Sequence, residues 1–279
     1  MAATSDSQAA FIKELPALPE VVNDLITAME REDLGIDEFA SKLSRDQALV
    51  AKTLRLANSS FYGMPRQVAA VQDAIMVLGV RTVRSVVLAA SVTSSFKREQ
   101  CPGFAFDAFW RHSLGTALCA KALAQRTELS DDIAFTIGLI HDIGRLALVV
   151  STGEQYAQVL KHRADHDCLL LESEQAILGT DHCAIGRQVA EHWRFAPQIV
   201  DAVANHHEPP DSPLASMAGL VHVADNLAHA LDLNHDPDEM VPPLSLSAWS
   251  ALGLSEPACR DIFQGVEAQL HELCQTLLS

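Results

Sequence analysis

The sequence predicts an all-α protein built as two packed helical bundles, and three observations carry that prediction. Apolar residues recur at i, i+3, i+4 and i+7 in one segment after another. No segment keeps up the strict alternation of a half-buried strand. Aromatic residues make up only 5% of the chain, so the core must be mostly Ala, Leu, Val and Ile, which suits closely packed helices. The stretch 97–103, with Pro102 and Gly103, reads as a hinge between the two halves.

Each element has its own signal. Residues 1–10 are small and polar and read as a disordered tail. Leu15-Pro16-Ala17-Leu18-Pro19 is a stiff lead-in, with Pro19 suited to the first turn of a helix whose apolar face is Val22, Leu25, Ile26 and Met29. After Gly35, the residues Ile36, Phe39, Ala40 and Leu43 mark a second, short helix. Ser44-Arg45-Asp46-Gln47 has capping-box spacing, with Ser44 as the N-cap of a helix to about Ala57. Asn58 to Pro65 is a loop, and its Phe61, Tyr62 and Met64 either pack on the domain's own core or offer a contact surface. Val71, Ile75 and Leu78 mark a helix closed by Gly79, and residues 81–96 form a helix apolar on most sides.

In the second half, Asp107 is expected to cap a helix to about Arg126. Ser130-Asp131-Asp132 caps one running through Ile140 toward Val149. Helices follow near residues 155–163 and 168–178, then one capped by Thr180 or Asp181 that reaches Trp193, and one from Pro197 to about His206. A loop holds Pro209, Pro210 and Pro213, and residues 217–231 and 256–277 are helical again. The expected organisation is a tail at 1–10, an N-terminal helical subdomain at 11–100 and a second helical domain at 101–279.

A chain of 279 residues can bury one large or two modest cores, and 48% hydrophobic with 20% charged residues is a globular composition. The net charge of −16 repels phosphate backbones and argues against nonspecific nucleic-acid binding. It leaves room for a small anionic ligand, because a metal ion inverts the local charge. Cys101, Cys119, Cys168, Cys183, Cys259 and Cys274 form no Cys-x-x-Cys pair, so they read as thiols in a reducing compartment, used as small apolar residues. The first residues lack a basic start and an apolar run, and no stretch reaches the ~18 apolar residues of a membrane span. The expectation is a cytoplasmic protein with no membrane partner.

The chemistry concentrates in the second half. His-Asp occurs three times, and His141-Asp142 alone lies in an apolar setting, between Ile137-Gly138-Leu139-Ile140 and Ile143-Gly144-Arg145-Leu146. Burying two such groups unpaired costs several kcal/mol, and a metal ion removes that cost. Gly138 and Gly144 would let backbone or ligand approach closely. His112 follows Phe109 and Trp110, His182 opens a helix, His206-His207 close one, and Asp225 is an acid in an apolar run. Adjacent imidazoles repel if both are protonated, and neutral imidazoles sharing a metal avoid that conflict. His162, His166, His192, His222, His229, His235 and His271 read as structural or exposed.

In these motifs the chain resembles the bacterial HDOD family, the HD-related output domain of signalling systems. The resemblance rests on Leu15-Pro16-Ala17-Leu18-Pro19, on Leu54-Arg55-Leu56-Ala57-Asn58-Ser59-Ser60-Phe61-Tyr62-Gly63 and on Ala74-Ile75-Met76-Val77-Leu78-Gly79. In the second half it rests on Phe109-Trp110-Arg111-His112-Ser113, on Gly138-Leu139-Ile140-His141-Asp142-Ile143-Gly144-Arg145 and on His206-His207. It implies that the second bundle is an HD-type, metal-dependent phosphohydrolase-like bundle with ligands at His112, His141, Asp142 and Asp225. The related HD-GYP phosphodiesterases of cyclic di-GMP add histidines that match His182, His206 and His207, enough for two metals. The Gly-Tyr-Pro motif is absent after His207, Ala108 stands where three-metal relatives carry an acid, and Arg145 replaces a lysine. These departures argue against a third metal and against cyclic di-GMP specificity.

The resemblance also sets the expected chemistry. Mixed nitrogen and carboxylate ligands suit Fe, Mn or Ni, with Zn a further candidate, at one or two ions per chain. Asp142 would bridge two ions, and Arg145 would contact substrate phosphate or pair with an acid. The implied activity is hydrolysis of a phosphoester or phosphodiester, on a nucleotide or cyclic nucleotide. The alternative is a non-catalytic signalling module with a structural or vestigial metal site. The expected partners are a small phosphorylated nucleotide, separate signalling proteins, or both.

Overall fold

The computed structural model describes residues 36–59, 64, 66–95, 101–236 and 240–278. All regular structure among the described residues is helical. In the first half lie α1 (Ile36–Leu43), α2 (Gln47–Ala57), α3 (Val71–Leu78) and α4 (Val80–Ser95). Then follow α5 (Phe106–Ala124), α6 (Asp131–Ile140), α7 (Ile143–Thr152), α8 (Glu154–His166) and α9 (Leu170–Leu178). The last five are α10 (His182–His192), α11 (Pro197–Asn205), α12 (Met217–Ala230), α13 (Leu246–Ala251) and α14 (Glu256–Leu277). The expected helix bearing Val22, Leu25, Ile26 and Met29, most of the loop after Asn58, and positions 97–100 of the expected hinge lie outside the described residues.

Local chemistry sets most boundaries where the pattern places them, with four corrections. Ser44 does not cap α2: its amide and hydroxyl both bond to the Ala40 carbonyl, at 2.9 and 2.7 Å, so it still belongs to the end of α1. Asp46, in extended conformation, accepts instead from Ala48 N and Leu49 N, at 2.9 and 3.1 Å. The helix expected to be capped by Asp107 starts two residues earlier, after Ala105, with Asp107 inside its first turn, where a carboxylate favours the helix dipole. The short helix α13, capped by Ser245, was not signalled by periodicity.

The fourth correction matters most. The helix expected to run from Ser130 toward Val149 breaks at His141-Asp142, with α6 on one side and α7 on the other. Consecutive residues of an unbroken helix point ~100° apart around its axis. The break lets both side chains turn to the same side of the bundle. By length and composition the span Asp131–Thr152 could cross a membrane, but 83% of its most apolar window is buried inside the protein.

α5 is the hub, packed on α6, α12 and α14, while α7 packs on α10 and α11 packs on α12. Leu114, Leu123, Ile137, Leu139, Ile140, Ile143 and Leu146 are fully buried there. Two glycines permit the crossings that bring the site helices together. A methyl group on Gly138 would lie 2.7 Å from the Ala117 Cα on α5. One on Gly144 would collide with the His182 carbonyl and the Gly186 amide on α10. The approach these glycines allow is therefore of backbone. α14 returns to the first half, packing on α2 and α4 as well as α5, and Lys52 donates to the Leu277 carbonyl at 2.9 Å.

Because no flexible side chain can yield at Gly144, Gly144→Ala is expected to cost at least about 1–3 kcal/mol of stability. A denaturant midpoint equal to that of the unmodified chain would show that α7 and α10 do not depend on this contact.

Candidate metal centre

All seven sequence-predicted ligand candidates converge on one cluster. His112 comes from α5, His141 and Asp142 from the α6–α7 break, His182 from the first turn of α10, His206 and His207 from just beyond α11, and Asp225 from α12. All are buried except His207, which is half-buried. Two carboxylates organise the cluster. The Asp225 Oδ1 faces His112 Nε2 at 2.9 Å and His141 Nε2 at 3.4 Å, and those two nitrogens are 3.3 Å apart. The Asp142 Oδ1 faces His182 Nε2 at 3.4 Å, His206 Nε2 at 3.6 Å and His141 Nε2 at 3.8 Å. His207 joins the two groups, 2.9 Å from His182 Nε2 and 4.0 Å from the Asp225 Oδ2.

The outer atoms of these rings explain why the inner ones face one another. His141 Nδ1 donates to the Gly138 carbonyl at 2.7 Å, and His206 Nδ1 donates to the Val203 carbonyl at 2.8 Å. His182 Nδ1 donates to the Glu174 Oε2 at 2.6 Å. With the proton held on the outer nitrogen, each Nε2 presents a lone pair to the interior. Both oxygens of Asp225 are buried and lack a well-aligned hydrogen bond, although imidazole nitrogens surround them, the nearest at 2.9 Å. Lone pairs and carboxylates meeting at this distance repel unless protons or a metal cation lie among them, and the mixed nitrogen and carboxylate set fits a divalent metal. Clusters of three or four such donors within 4.8 Å of one another recur here, and one of them includes Cys183.

Electrostatics agree with that reading. Burial opposes ionisation of Asp142, yet His141 and His182 hold it well below the usual carboxylate range. Burial likewise opposes ionisation of Asp225, and His229 with His112 holds it low. Burial lowers His112 and, with its neighbours His206 and His182, lowers His207. Burial would also lower His182, but Glu174 outweighs it and raises that imidazole well above its ordinary value. His206 is raised as well, against burial, by Cys183 and Asp142.

Three participants escaped the sequence reading. His229, expected to be structural or exposed, lies 3.3 Å from the Asp225 Oδ1, with its ring 4.3 Å from that of His112. Its place four residues after Asp225 on one helix was the available signal. Glu174 is fully buried, accepting from the His182 amide at 2.8 Å and from Tyr156 Oη at 2.7 Å besides the His182 ring. An acid between Leu170, Leu171 and Ile177, Leu178 at helical spacing could have flagged it. Cys183, read as a small apolar residue, flanks His206 at 3.8 Å. Burial raises its thiol, but His206 and His182 outweigh that and bring it down to about 7. His222 is structural in its contacts, donating to the His206 carbonyl at 2.7 Å and accepting from Ser245 N at 2.8 Å.

A cavity of about 770 Å³ opens over the cluster. His112, Asp142, His182, His207, Asp225 and His229 form its floor, and Phe104, Phe109, Leu160 and Leu170 form an apolar wall. Arg145 lies at the junction, 3.7 Å from the Asp142 Oδ2 and stacked over Phe104 and Phe109 at 5.4 and 5.8 Å. Burial disfavours its charge, but Tyr156, Asp142 and Glu174 raise its pKa and keep it a cation. Arg163 adds a second positive group to the wall, and Asp167, Glu172, Glu208 and Asp236 form an acidic rim.

The profile of the HDOD domain matches residues 15–209. A crystal structure of an HDOD domain protein of unknown function from Geobacter sulfurreducens superposes with a TM-score of 0.81 at 25% identity, over 97% of this chain and 99% of that one. A protein from Shewanella amazonensis SB2B, described as a candidate phosphohydrolase, superposes with a TM-score of 0.71 at 27% identity, over 98% of this chain and 99% of that one. Ribonuclease Y of the Aster yellows witches'-broom phytoplasma is 28% identical over 120 residues, 43% of this chain and 17% of the ribonuclease. The chain spans no more than 39% of the length of the curated relatives it matches.

Two predictions follow from the proton positions. His182 and His206 are raised in the metal-free protein, so they carry protons below their elevated pKa values, and metal must displace those protons. Apparent metal affinity should therefore climb with pH, by about tenfold per unit for each proton displaced, until both rings are neutral. In the metal-free protein the same two groups stabilise the fold below the ordinary imidazole pKa, and that contribution fades as pH rises through their raised values. Glu174→Gln should weaken metal binding about 10–100-fold at alkaline pH, where proton competition is least. Titration calorimetry across pH checks both, and a flat pH profile in the unmodified chain would contradict the proton assignment.

Proposed function

The chain belongs to the HDOD domain family, and from that premise we propose that it is a divalent-metal-dependent phosphohydrolase of the HD type, acting on a phosphoester or phosphodiester of a nucleotide. The observation that carries this reading is the orientation of the rings: His141, His182 and His206 are each tied down on the outside and turn Nε2 toward two buried carboxylates at the floor of a cavity. The residues that would hold the metal are His112, His141 and Asp225 on one side and Asp142, His182, His206 and His207 on the other. His141 lies within 3.8 Å of both carboxylates, which links the two sides. Divalent ions bound there supply Lewis acidity and lower the pKa of water to near neutrality. Mn, Fe and Ni suit this nitrogen-rich set, and Zn is compatible with it.

The chain's own contribution is to position and to bind. Glu174 fixes the His182 ring through its Nδ1 and also anchors the amide that begins α10, so the ring and its helix move as one. Arg145 is held between Asp142 and the rings of Phe104 and Phe109, with 16% of its side chain exposed toward the cavity. From there its guanidinium would bind phosphoryl oxygens and offset charge that develops on them. The apolar wall of Phe104, Leu160 and Leu170 would receive the non-phosphate part of the substrate and exclude water from one side of the centre. The similarity to the Shewanella protein supports the reaction class.

Elemental analysis of gently purified protein, paired with hydrolysis of bis(p-nitrophenyl) phosphate and a panel of nucleotides, tests this reading. The expected result is about two equivalents of metal per chain and a chelator-sensitive activity. His141→Ala combined with Asp142→Ala should remove metal and activity together while helical content stays unchanged. Arg145→Gln should keep the metal and lose about 100-fold in turnover. A chain that takes up no added metal sinks the proposal. One that binds metal but hydrolyses nothing in the panel would instead be a signalling module with a structural ion.

A further inference from the structure

One imidazole on the floor of the cavity has no part in the reading above. His229 lies one helical turn beyond Asp225 on α12, and its Nε2 is 3.3 Å from the Asp225 Oδ1. That single oxygen is also faced by His112 at 2.9 Å and His141 at 3.4 Å. The rings of His229 and His112 lie side by side, centroids 4.3 Å apart and planes 32° apart. The donor atoms of His112, Asp225 and His229 all lie within 4.8 Å of one another.

We propose that His229 is a ligand of the metal held by His112, His141 and Asp225. This inference rests on the metal-dependent reading and extends it. The competing role is a hydrogen bond from His229 that merely holds the Asp225 carboxylate in place. The geometry favours the ligand. Three imidazole nitrogens from three different elements crowd one buried carboxylate oxygen, at 2.9, 3.4 and 3.3 Å, which is more than holding the carboxylate in place requires. Convergence of several donor atoms on one point is what a shared cation requires.

A fourth ligand would give each of the two metal positions four protein donors, His112, His141, Asp225 and His229 at one and Asp142, His182, His206 and His207 at the other. His229 would then set the affinity of the position that it joins, with little effect on the other.

The test is titration of the metal-free protein with Co²⁺, read by its visible absorption bands, in the unmodified chain, His229→Ala and His229→Gln. Helical content of each variant is checked first, and because His229 sits at the cavity surface with 15% of its side chain exposed, both variants should fold. The expected outcome is two equivalents bound by the unmodified chain, with one of them weakened at least tenfold and spectrally altered in both variants. Gln keeps an N–H donor for Asp225, so restoration of the original spectrum and affinity by His229→Gln would overturn the ligand assignment in favour of the hydrogen bond. Unchanged titrations in both variants would overturn it as well, leaving the metal centre itself intact. No Co²⁺ uptake by the unmodified chain would overturn both the metal-dependent reading and this one.

Discussion

Two carboxylates, Asp142 and Asp225, sit in the interior of a helical bundle with imidazole lone pairs turned toward them, and the remaining architecture accommodates that burial. Hydrophobic packing alone could not tolerate it, because each uncompensated group would cost several kcal/mol against a total stability of only ~5–15 kcal/mol. The fold meets the constraint from the outside inward. Main-chain carbonyls of Gly138 and Val203 and the Glu174 carboxylate take the outer N–H of three rings. The most apolar span of the chain breaks so that His141 and Asp142 reach the same side. Gly138 and Gly144 then bring α5 and α10 close enough for their histidines to meet that break. Protons on His182 and His206 offset part of this charge in the metal-free protein, and a divalent cation would balance the whole donor set.

That arrangement explains which parts of the molecule were legible in the sequence. Helix positions were, because apolar periodicity and side-chain caps are local: Ser130, Asp181 and Pro197 act where their types imply. The ligand candidates His112, His141, Asp142, His182, His206, His207 and Asp225 were legible as polar groups placed against the grain of apolar segments, and the structure gathers all of them. The break between α6 and α7 was not, since Ile140 and Ile143 continue the apolar pattern across it and the cause lies in tertiary contacts. Glu174 and Cys183 escaped for a related reason. Each acts on an imidazole presented from another part of the fold or from its own neighbouring turn, and the charge that shifts it is visible only once the rings are in place. At Ser44 the local signal was real but ambiguous, and the competing bonds to the Ala40 carbonyl decided in favour of Asp46.

The cavity limits what such a centre could accept. A chain of net charge −16 with Asp167, Glu172, Glu208 and Asp236 around the opening repels extended polyanions at a distance. Inside, the balance reverses: Arg145 remains cationic, Arg163 lines the same wall, and bound divalent ions would add positive charge at the floor. A short phosphoester, with one or two phosphoryl groups and a flat apolar portion for the Phe104–Leu170 side, gains from the interior field. It exposes little charge to the rim. A long nucleic-acid backbone would spread many charges across that rim and gain from few of them. Ribonuclease Y shares sequence with this chain over 120 residues, and on the proposed function the electrostatics would favour a compact nucleotide over an RNA strand. Specificity in this site would then come from the contrast between a repulsive entrance and an attractive floor, and the cavity of about 770 Å³ sets the upper size of what can profit from it.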